Sequence, residues 1–163
     1  MRSRLVFAFS LFAFIAAVGA CSSSEDAKVC AGEYTPPASF DPNTPQVKFS
    51  TDVFPLFTTC ATNDCHGQPN NSNHVFISQS DARSTVPGLV NVPSNKLPSM
   101  VYVKPGDPNN SFLMKKLDGS HCALDKQCVG GTCGDQMPNK ETQFSVEERD
   151  KVRRWIAQGG KND

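Results

Sequence analysis

The sequence predicts a small, mainly α-helical domain with long loops and one short two-stranded hairpin. Three observations favour this fold class. The chain ends in an amphipathic segment with a helix-capping signal, apolar residues recur at helical spacing near residue 53, and Gly, Pro, Asn and Cys dominate the segments between them. The unit from about Val47 to Gly160 has the length of one domain.

The first 20 residues are interpreted as a lipoprotein signal peptide. Two arginines precede an apolar run from Leu5 to Val18, which is too short for a comfortable membrane span. Small residues then precede Cys21, and this pattern resembles the lipobox of bacterial lipoproteins. The resemblance implies export, acylation of Cys21 and anchoring in the outer membrane facing the periplasm, since Ser22 follows. An ordinary signal peptide, cut at the same place, is the alternative.

Residues 21–46 are predicted to be a flexible tether, because they are rich in Ser, Pro, Asp and Asn and have no hydrophobic period. Removing residues 1–20 takes away two of the 16 basic residues and none of the 16 acidic ones, which leaves a net charge of −2. This balance offers no basic face for nucleic acid. About one third of the remaining chain is hydrophobic. We therefore expect the small core to be stabilised further by an apolar cofactor or by covalent cross-links.

The first predicted helix follows a capping signal at residues 50–52, and Val53, Leu56, Phe57 and Cys60 form its apolar face.

The last helix is the clearest element of the sequence. Ser145 to Glu148 reads as a capping box, and Val152, Trp155 and Ile156 form a buried stripe. The arginines at positions 153 and 154 are expected to lie on the solvated face, near the end of the helix where the dipole favours cations.

The segments between these helices are mixed. Residues 80–83 predict a brief helix, His74 to Ile77 and Met100 to Val103 predict two short strands, and Ser111 is expected to cap a helix from Phe112 to Leu117. Residues 118–140 have no helical period and are predicted to form a loop.

Six cysteines remain after Cys21, and the export signal places them where disulfides persist. They are Cys30, Cys60, Cys65, Cys122, Cys128 and Cys133. If Cys60 and Cys65 bind a cofactor, the other four can form two disulfides in any of three connectivities; otherwise three disulfides are possible.

Cys60, Cys65 and His66 form one short cluster, Cys60-Ala-Thr-Asn-Asp-Cys65-His66-Gly67. Two thiols followed at once by an imidazole is the arrangement that attaches a c-type haem. The usual motif has two residues between the cysteines and this one has four, so the two extra residues must bulge out. Asn63 and Asp64 suit such a turn. Met137, far downstream, is a candidate second axial ligand.

The order of several short motifs resembles that of bacterial cytochrome c-like domains of the planctomycete and myxobacterial type. After Val53-Phe-Pro-Leu56 and the cysteine cluster come Lys104-Pro-Gly-Asp-Pro-Asn-Asn-Ser111, Lys116-Leu-Asp-Gly119, Met137-Pro138 and Arg154-Trp-Ile-Ala-Gln-Gly159. The resemblance covers nearly the whole unit from Val47 to Gly160.

The resemblance implies a class I cytochrome c-like fold in which the terminal helices pack across each other. It implies one covalent haem c, with Cys60 and Cys65 forming the thioethers, His66 the proximal ligand and Met137 the distal ligand. Filled axial positions imply outer-sphere electron transfer rather than catalysis, with a redox protein as the partner.

Other interpretations remain open. A haem-free lipoprotein stapled by disulfides, including one between Cys60 and Cys65, is the main alternative. A zinc site formed by those two cysteines with Cys128 and Cys133 is another, although an oxidising compartment opposes it.

Four further residues bear on the haem interpretation. Met100 and Met114 are alternative sulfur ligands, with Met114 more consistent with the core. His74 could replace Met137 as the distal ligand, and His121 is expected to lie at the surface.

Overall fold

A computed structural model describes residues 30–70, 74–139 and 142–163, and within them the protein is mainly helical, as the sequence predicts. The α-helices are α1 (Phe54–Phe57), α2 (Ala82–Thr85), α3 (Phe112–Asp118) and α4 (Val146–Ala157). A π-helical turn covers Phe49–Val53, and 3₁₀ turns cover Thr58–Cys60, Val86–Gly88, Pro108–Asn110, His121–Gln127 and Val129–Gly131.

The N-terminal helical run extends from Phe49 to Cys60, combining the π-helical turn, α1 and one 3₁₀ turn. It begins just before the predicted capping residues, and the Asp52 carboxylate accepts a hydrogen bond from the backbone N–H of Lys48 at 2.8 Å. Phe49, Val53 and Phe57 are buried along one side. The helical spacing in the sequence therefore identifies the buried face correctly, although the helical run begins one residue before the predicted capping residues.

The capping box that begins α4 is confirmed. The Ser145 hydroxyl accepts from the backbone N–H of Glu148, whose carboxylate accepts from the backbone N–H of Ser145. The predicted stripe of Val152, Trp155 and Ile156 is buried. As a result, α4 faces the core along the side that its hydrophobic period indicates.

The two terminal helical segments pack against each other through aromatic rings. The ring centroids of Phe49 and Trp155 lie 4.9 Å apart, and the Trp155 indole N–H donates to the Lys161 carbonyl at 2.8 Å. The chain end joins this contact, because Asp163 accepts hydrogen bonds from the backbone N–H groups of Phe49 and Ser50.

The expectation that Arg153 lies on a solvated face is wrong. Its side chain is 2% exposed, and its guanidinium donates to both carboxylate oxygens of Asp118 at 3.1 and 2.9 Å. Asp150 accepts a further bond at 3.4 Å, and the Tyr34 ring lies 4.7 Å from the guanidinium carbon. The arginine is buried because α3 ends against α4 and brings Asp118 to it.

The predicted hairpin between His74 to Ile77 and Met100 to Val103 is also wrong, since no strand forms in the described ranges. Residues of the second segment make only isolated bridges, to Val90 and Pro93. His74 has a φ of 62°, which is incompatible with an extended strand, and the N–H of Ile77 donates to the carbonyl of His66.

The described part of the predicted tether lies against the domain. A disulfide joins Cys30 to Cys122, Lys115 pairs with Glu33, and the Arg154 Nε donates to the carbonyls of Asp41 and Thr44. The signal peptide, Cys21 and the tether up to residue 29 lie outside the described residues. Within the described ranges, no helix combines the length and apolar character needed to cross a membrane.

We predict that Asp118→Ala lowers the free energy of unfolding by about 3 kcal/mol, because it leaves the buried Arg153 without its bidentate carboxylate. Chemical denaturation of the protein comprising residues 21–163 measures the change. Lys151→Ala, on the exposed face of α4, is the control and should stay within about 0.5 kcal/mol of wild type. Equal losses in both variants would contradict the structural role of this ion pair.

Candidate functional site

The described part of the chain contains a cavity of about 310 Å³, and most of its lining is apolar. Its walls come from the end of the N-terminal helical run, the segment after the cysteine cluster, the 89–102 region, α3 and the 133–139 loop. A volume in this range suits one small molecule or cofactor. Side chains of the predicted ligand set lie in this lining: Cys60, His66 and Met137.

The four-residue spacer after Cys60 forms a compact turn. The N–H of Cys65 donates to the carbonyl of Thr62 at 3.0 Å, which places Asn63 and Asp64 at the centre of a β-turn. The N–H of His66 donates to the carbonyl of Cys60, also at 3.0 Å, and closes the loop. The predicted bulge is therefore present, and it lets the imidazole reach the cavity from the residue after the second cysteine.

Gly67 makes room for this bulge. A Cβ atom at this position would collide with the carbonyl oxygen of Ala61 and would lie 2.8 Å from that of Thr62. Both obstacles are backbone atoms, which cannot turn aside as a side chain can. The spacer packs over Gly67, and the backbone N–H of Gly67 donates a hydrogen bond to the carbonyl of Thr62 at 2.8 Å.

The imidazole of His66 is held by the backbone of the next segment. Its Nδ1 lies 3.1 Å from the carbonyl oxygen of Val75. Because a carbonyl only accepts, Nδ1 carries the hydrogen and the lone pair of the neutral ring is on Nε2. This hydrogen bond to the Val75 carbonyl fixes the orientation of the ring, as a bond from the other ring nitrogen commonly does in metal-binding histidines.

Burial lowers the pKa of His66, and the positive charge of Lys116 lowers it further, while the bond to the Val75 carbonyl acts in the opposite direction. The net shift favours the neutral imidazole. Neutral imidazole is the form that binds a metal.

Met137 reaches the cavity on a loop that is fixed to α3 and to the 3₁₀ turn that follows it. Its backbone N–H donates to the carbonyl of Lys116 at 3.1 Å, and the Lys116 ammonium donates to the carbonyl of Cys133 at 2.9 Å. The imidazole Nε2 of His121 lies 2.8 Å from the carbonyl oxygen of Gly134. These contacts hold the loop on both sides of Asp135.

Two disulfides join the four cysteines predicted as candidates, Cys30 with Cys122 and Cys128 with Cys133. The second staples the loop that leads to Met137. This pairing contradicts the four-thiolate zinc alternative, because two of its ligands are oxidised. Within the described ranges, no group of three or more His, Cys, Asp or Glu side chains is arranged to hold a metal ion.

The structure does not bring every candidate ligand to the cavity. Cys65 is exposed and is not part of the lining, in contrast to Cys60. Met114 is a core residue, as predicted, and Met100 and His74 also lie outside the lining.

The expected surface position of His121 is wrong, because this residue is fully buried. It is enclosed because the 3₁₀ segment after α3 folds inward and the 133–134 turn covers it.

Sequence reasoning missed two lysines in the lining, Lys96 and Lys116. Lys116 could have been found, because α3 presents Phe112, Leu113, Lys116 and Leu117 to the cavity at i, i+1, i+4 and i+5. A lysine in such an apolar stripe is unusual and indicates a specific task. Lys96 lies in an irregular segment with no hydrophobic period, so no pattern in the sequence indicates its position.

Comparison with protein-family models, with curated proteins and with solved structures gives no significant match to this chain.

We predict that Gly67→Ala lowers the free energy of unfolding by about 2 kcal/mol, because the added methyl group meets the backbone of the spacer. Urea denaturation of the protein comprising residues 21–163 gives the value. Gly88→Ala is the matched control, since a Cβ there meets nothing within 4 Å. If the two variants proved equally stable, the tight packing of the spacer over Gly67 would be refuted.

Proposed function

We propose that the cavity holds one covalently attached haem c and that the protein is a monohaem, c-type electron carrier. The observation that carries this proposal is the convergence of Cys60, His66 and Met137 on one mostly apolar cavity. These residues belong to two segments separated by more than half of the domain. Their meeting follows from the fold, although each was predicted as a ligand from the sequence.

The residues at the cavity fit a haem in three respects. Cys60 would supply a thiol for attachment of the haem, and the Nε2 lone pair of His66 and the thioether of Met137 would be available to ligate its iron. The apolar wall suits the porphyrin ring. A haem with His and Met axial ligands transfers single electrons and has a raised reduction potential.

The protein groups around the site have separate tasks in this proposal. The Val75 carbonyl fixes the tautomer of His66, and Phe57 and Phe112 exclude water from the cavity. The bond between the Met137 N–H and the Lys116 carbonyl keeps the sulfur-bearing loop against α3. With both axial positions taken by side chains, an external substrate has no access to iron, and this supports an electron carrier rather than an enzyme.

Cys65 forms the second thioether in this proposal, which requires its exposed side chain to turn towards the cavity. Attachment through Cys60 needs no comparable change, because Cys60 already lines the cavity.

The cellular setting is also part of the proposal. We infer that the mature protein is exported, acylated at Cys21 and held at the outer membrane facing the periplasm, where it exchanges electrons with a redox protein. The two disulfides support an oxidising compartment. The tether enters the domain at Cys30, whose disulfide to Cys122 fixes the point from which the lipid anchor extends.

We predict that the mature protein, exported by a host with cytochrome c maturation proteins, carries one covalent haem. A pyridine haemochrome spectrum and the intact mass measure it. Cys60→Ala should remove most of the bound haem, whereas Cys65→Ala should retain haem through the cysteine that already lines the cavity, with an α-band shifted to longer wavelength by the unreacted vinyl group.

A colourless wild-type protein without the mass of one haem would refute the proposal. The haem-free, disulfide-stapled lipoprotein of structural or binding role would then be the better interpretation. A mass showing a disulfide between Cys60 and Cys65 would lead to the same conclusion.

We predict that Met137→Ala abolishes the long-wavelength sulfur-to-ferric-iron band of the haem protein and lowers its reduction potential, because the thioether ligand is lost. Absorption spectroscopy and a redox titration measure the two effects. Met100→Ala is the control, since Met100 is partly buried but lies outside the cavity lining, and it should keep the band. An unchanged band in Met137→Ala would exclude Met137 as the axial ligand.

A further inference from the structure

We propose that Lys96 and Lys116 bind the two carboxylate groups of the haem, forming the anion-recognition part of the cavity. This inference rests on the proposed function and extends it from the iron ligands to the polar edge of the cofactor. The ligand chemistry is a flat apolar ring with two carboxylates. The site is a mostly apolar cavity with two lysines among its lining residues.

Lys116 is the better fixed of the two lysines. It lies on α3, is 9% exposed, and donates from its ammonium to the carbonyl of Cys133 at 2.9 Å. This bond keeps the cationic end at the cavity wall instead of letting it extend into solvent. A carboxylate ligand would accept a charge-assisted hydrogen bond from this ammonium, in addition to the bond that the Cys133 carbonyl accepts.

Lys96 comes from a different segment, and its backbone is held on both sides. Its N–H donates to the hydroxyl of Ser94 at 3.2 Å, and its carbonyl accepts from the N–H of Val129 at 2.8 Å. The side chain is half-buried in the cavity wall. It brings a second cation to the cavity, from a segment that carries none of the iron ligands.

The charge balance of the cavity favours an anionic ligand. Among its described lining residues the acidic and basic side chains other than histidine are Lys96, Lys116 and the exposed Asp135. The wall is therefore net positive.

The adjacent residue on α3 provides a matched control. Lys115 carries the same charge one position earlier, but it pairs with Glu33 on the outer side of the helix and does not line the cavity. A substitution at Lys115 changes the net charge of the protein by the same amount as one at Lys116. It leaves the charge of the cavity wall unchanged.

The test compares free ferric haem with its dimethyl ester, in which both carboxylates are neutral. The mature chain is exported to the periplasm of a host that lacks cytochrome c maturation proteins, so that disulfides form while haem is not attached. Each ligand is titrated in the same detergent, and the Soret band reports binding. The wild-type protein and Lys115→Met should bind the free acid about tenfold more tightly than the diester, because only the free acid has carboxylates that accept charge-assisted hydrogen bonds from the two lysines.

Lys96→Met and Lys116→Met should each reduce this preference, and the double variant should abolish it. The ratio of the two affinities is the quantity compared, because loss of the Lys116 bond to the Cys133 carbonyl affects both ligands alike. Lys116→Arg should retain it, because the charge is kept. Far-UV circular dichroism of every variant checks that the fold persists, and Lys96→Met, at the less buried position, tests the idea independently of Lys116.

Two outcomes would overturn the inference while leaving the haem proposal in place. They are equal affinity of the wild-type protein for both ligands, and an undiminished preference in the double variant. Failure of the wild-type protein to bind either ligand would also overturn the inference, whereas the haemochrome spectrum of the protein exported with the maturation proteins tests the proposed function separately.

Discussion

The contact between Phe49 and Trp155 is the constraint on which the rest of the structure depends. Both side chains are almost completely buried, and their rings lie 4.9 Å apart. Aromatic pairs of this kind contribute about 0.5–1.5 kcal/mol beyond the burial of their area. The contact fixes the N-terminal helical run on α4, and so it sets where that run ends. Because the run ends at Cys60, the same contact places the first cysteine of the cluster at the cavity.

Helices and loops both line the cavity, and hydrogen bonds hold the backbone of the loops in place. On the cluster side, the backbone closes around the spacer and the carbonyl of Val75 holds His66. Later in the chain, α3 supports the loop that carries Met137, and the Cys128–Cys133 disulfide cross-links the segment that leads to this loop. In the proposed carrier, such support keeps both iron ligands in place during a change of oxidation state, because neither residue depends on its own side-chain torsions alone.

Prediction from the sequence succeeds where a local pattern is sufficient. The capping box at Ser145 and the stripe of α4 are both local, because caps and periodicity depend on residues within one or two turns. The turn at Asn63 and Asp64 is also local. Prediction fails where a distant partner decides. Arg153 has the sequence environment of an exposed helical residue, yet Asp118, 35 positions away, makes its burial favourable.

The sequence by itself determined the helical class of the domain, the face that α4 buries, and the residue types that could bind a haem. Capping and periodicity depend on residues that are close together in the chain, and the ability of a residue to bind a metal or a haem depends on the type of its side chain. Only the tertiary structure decided that Cys60, His66 and Met137 share a cavity while Cys65 points outwards, that Cys30 pairs with Cys122, and that Lys96 and Lys116 line the wall. These outcomes depend on contacts between segments far apart in the chain, where many pairings are compatible with the same local pattern and packing selects one.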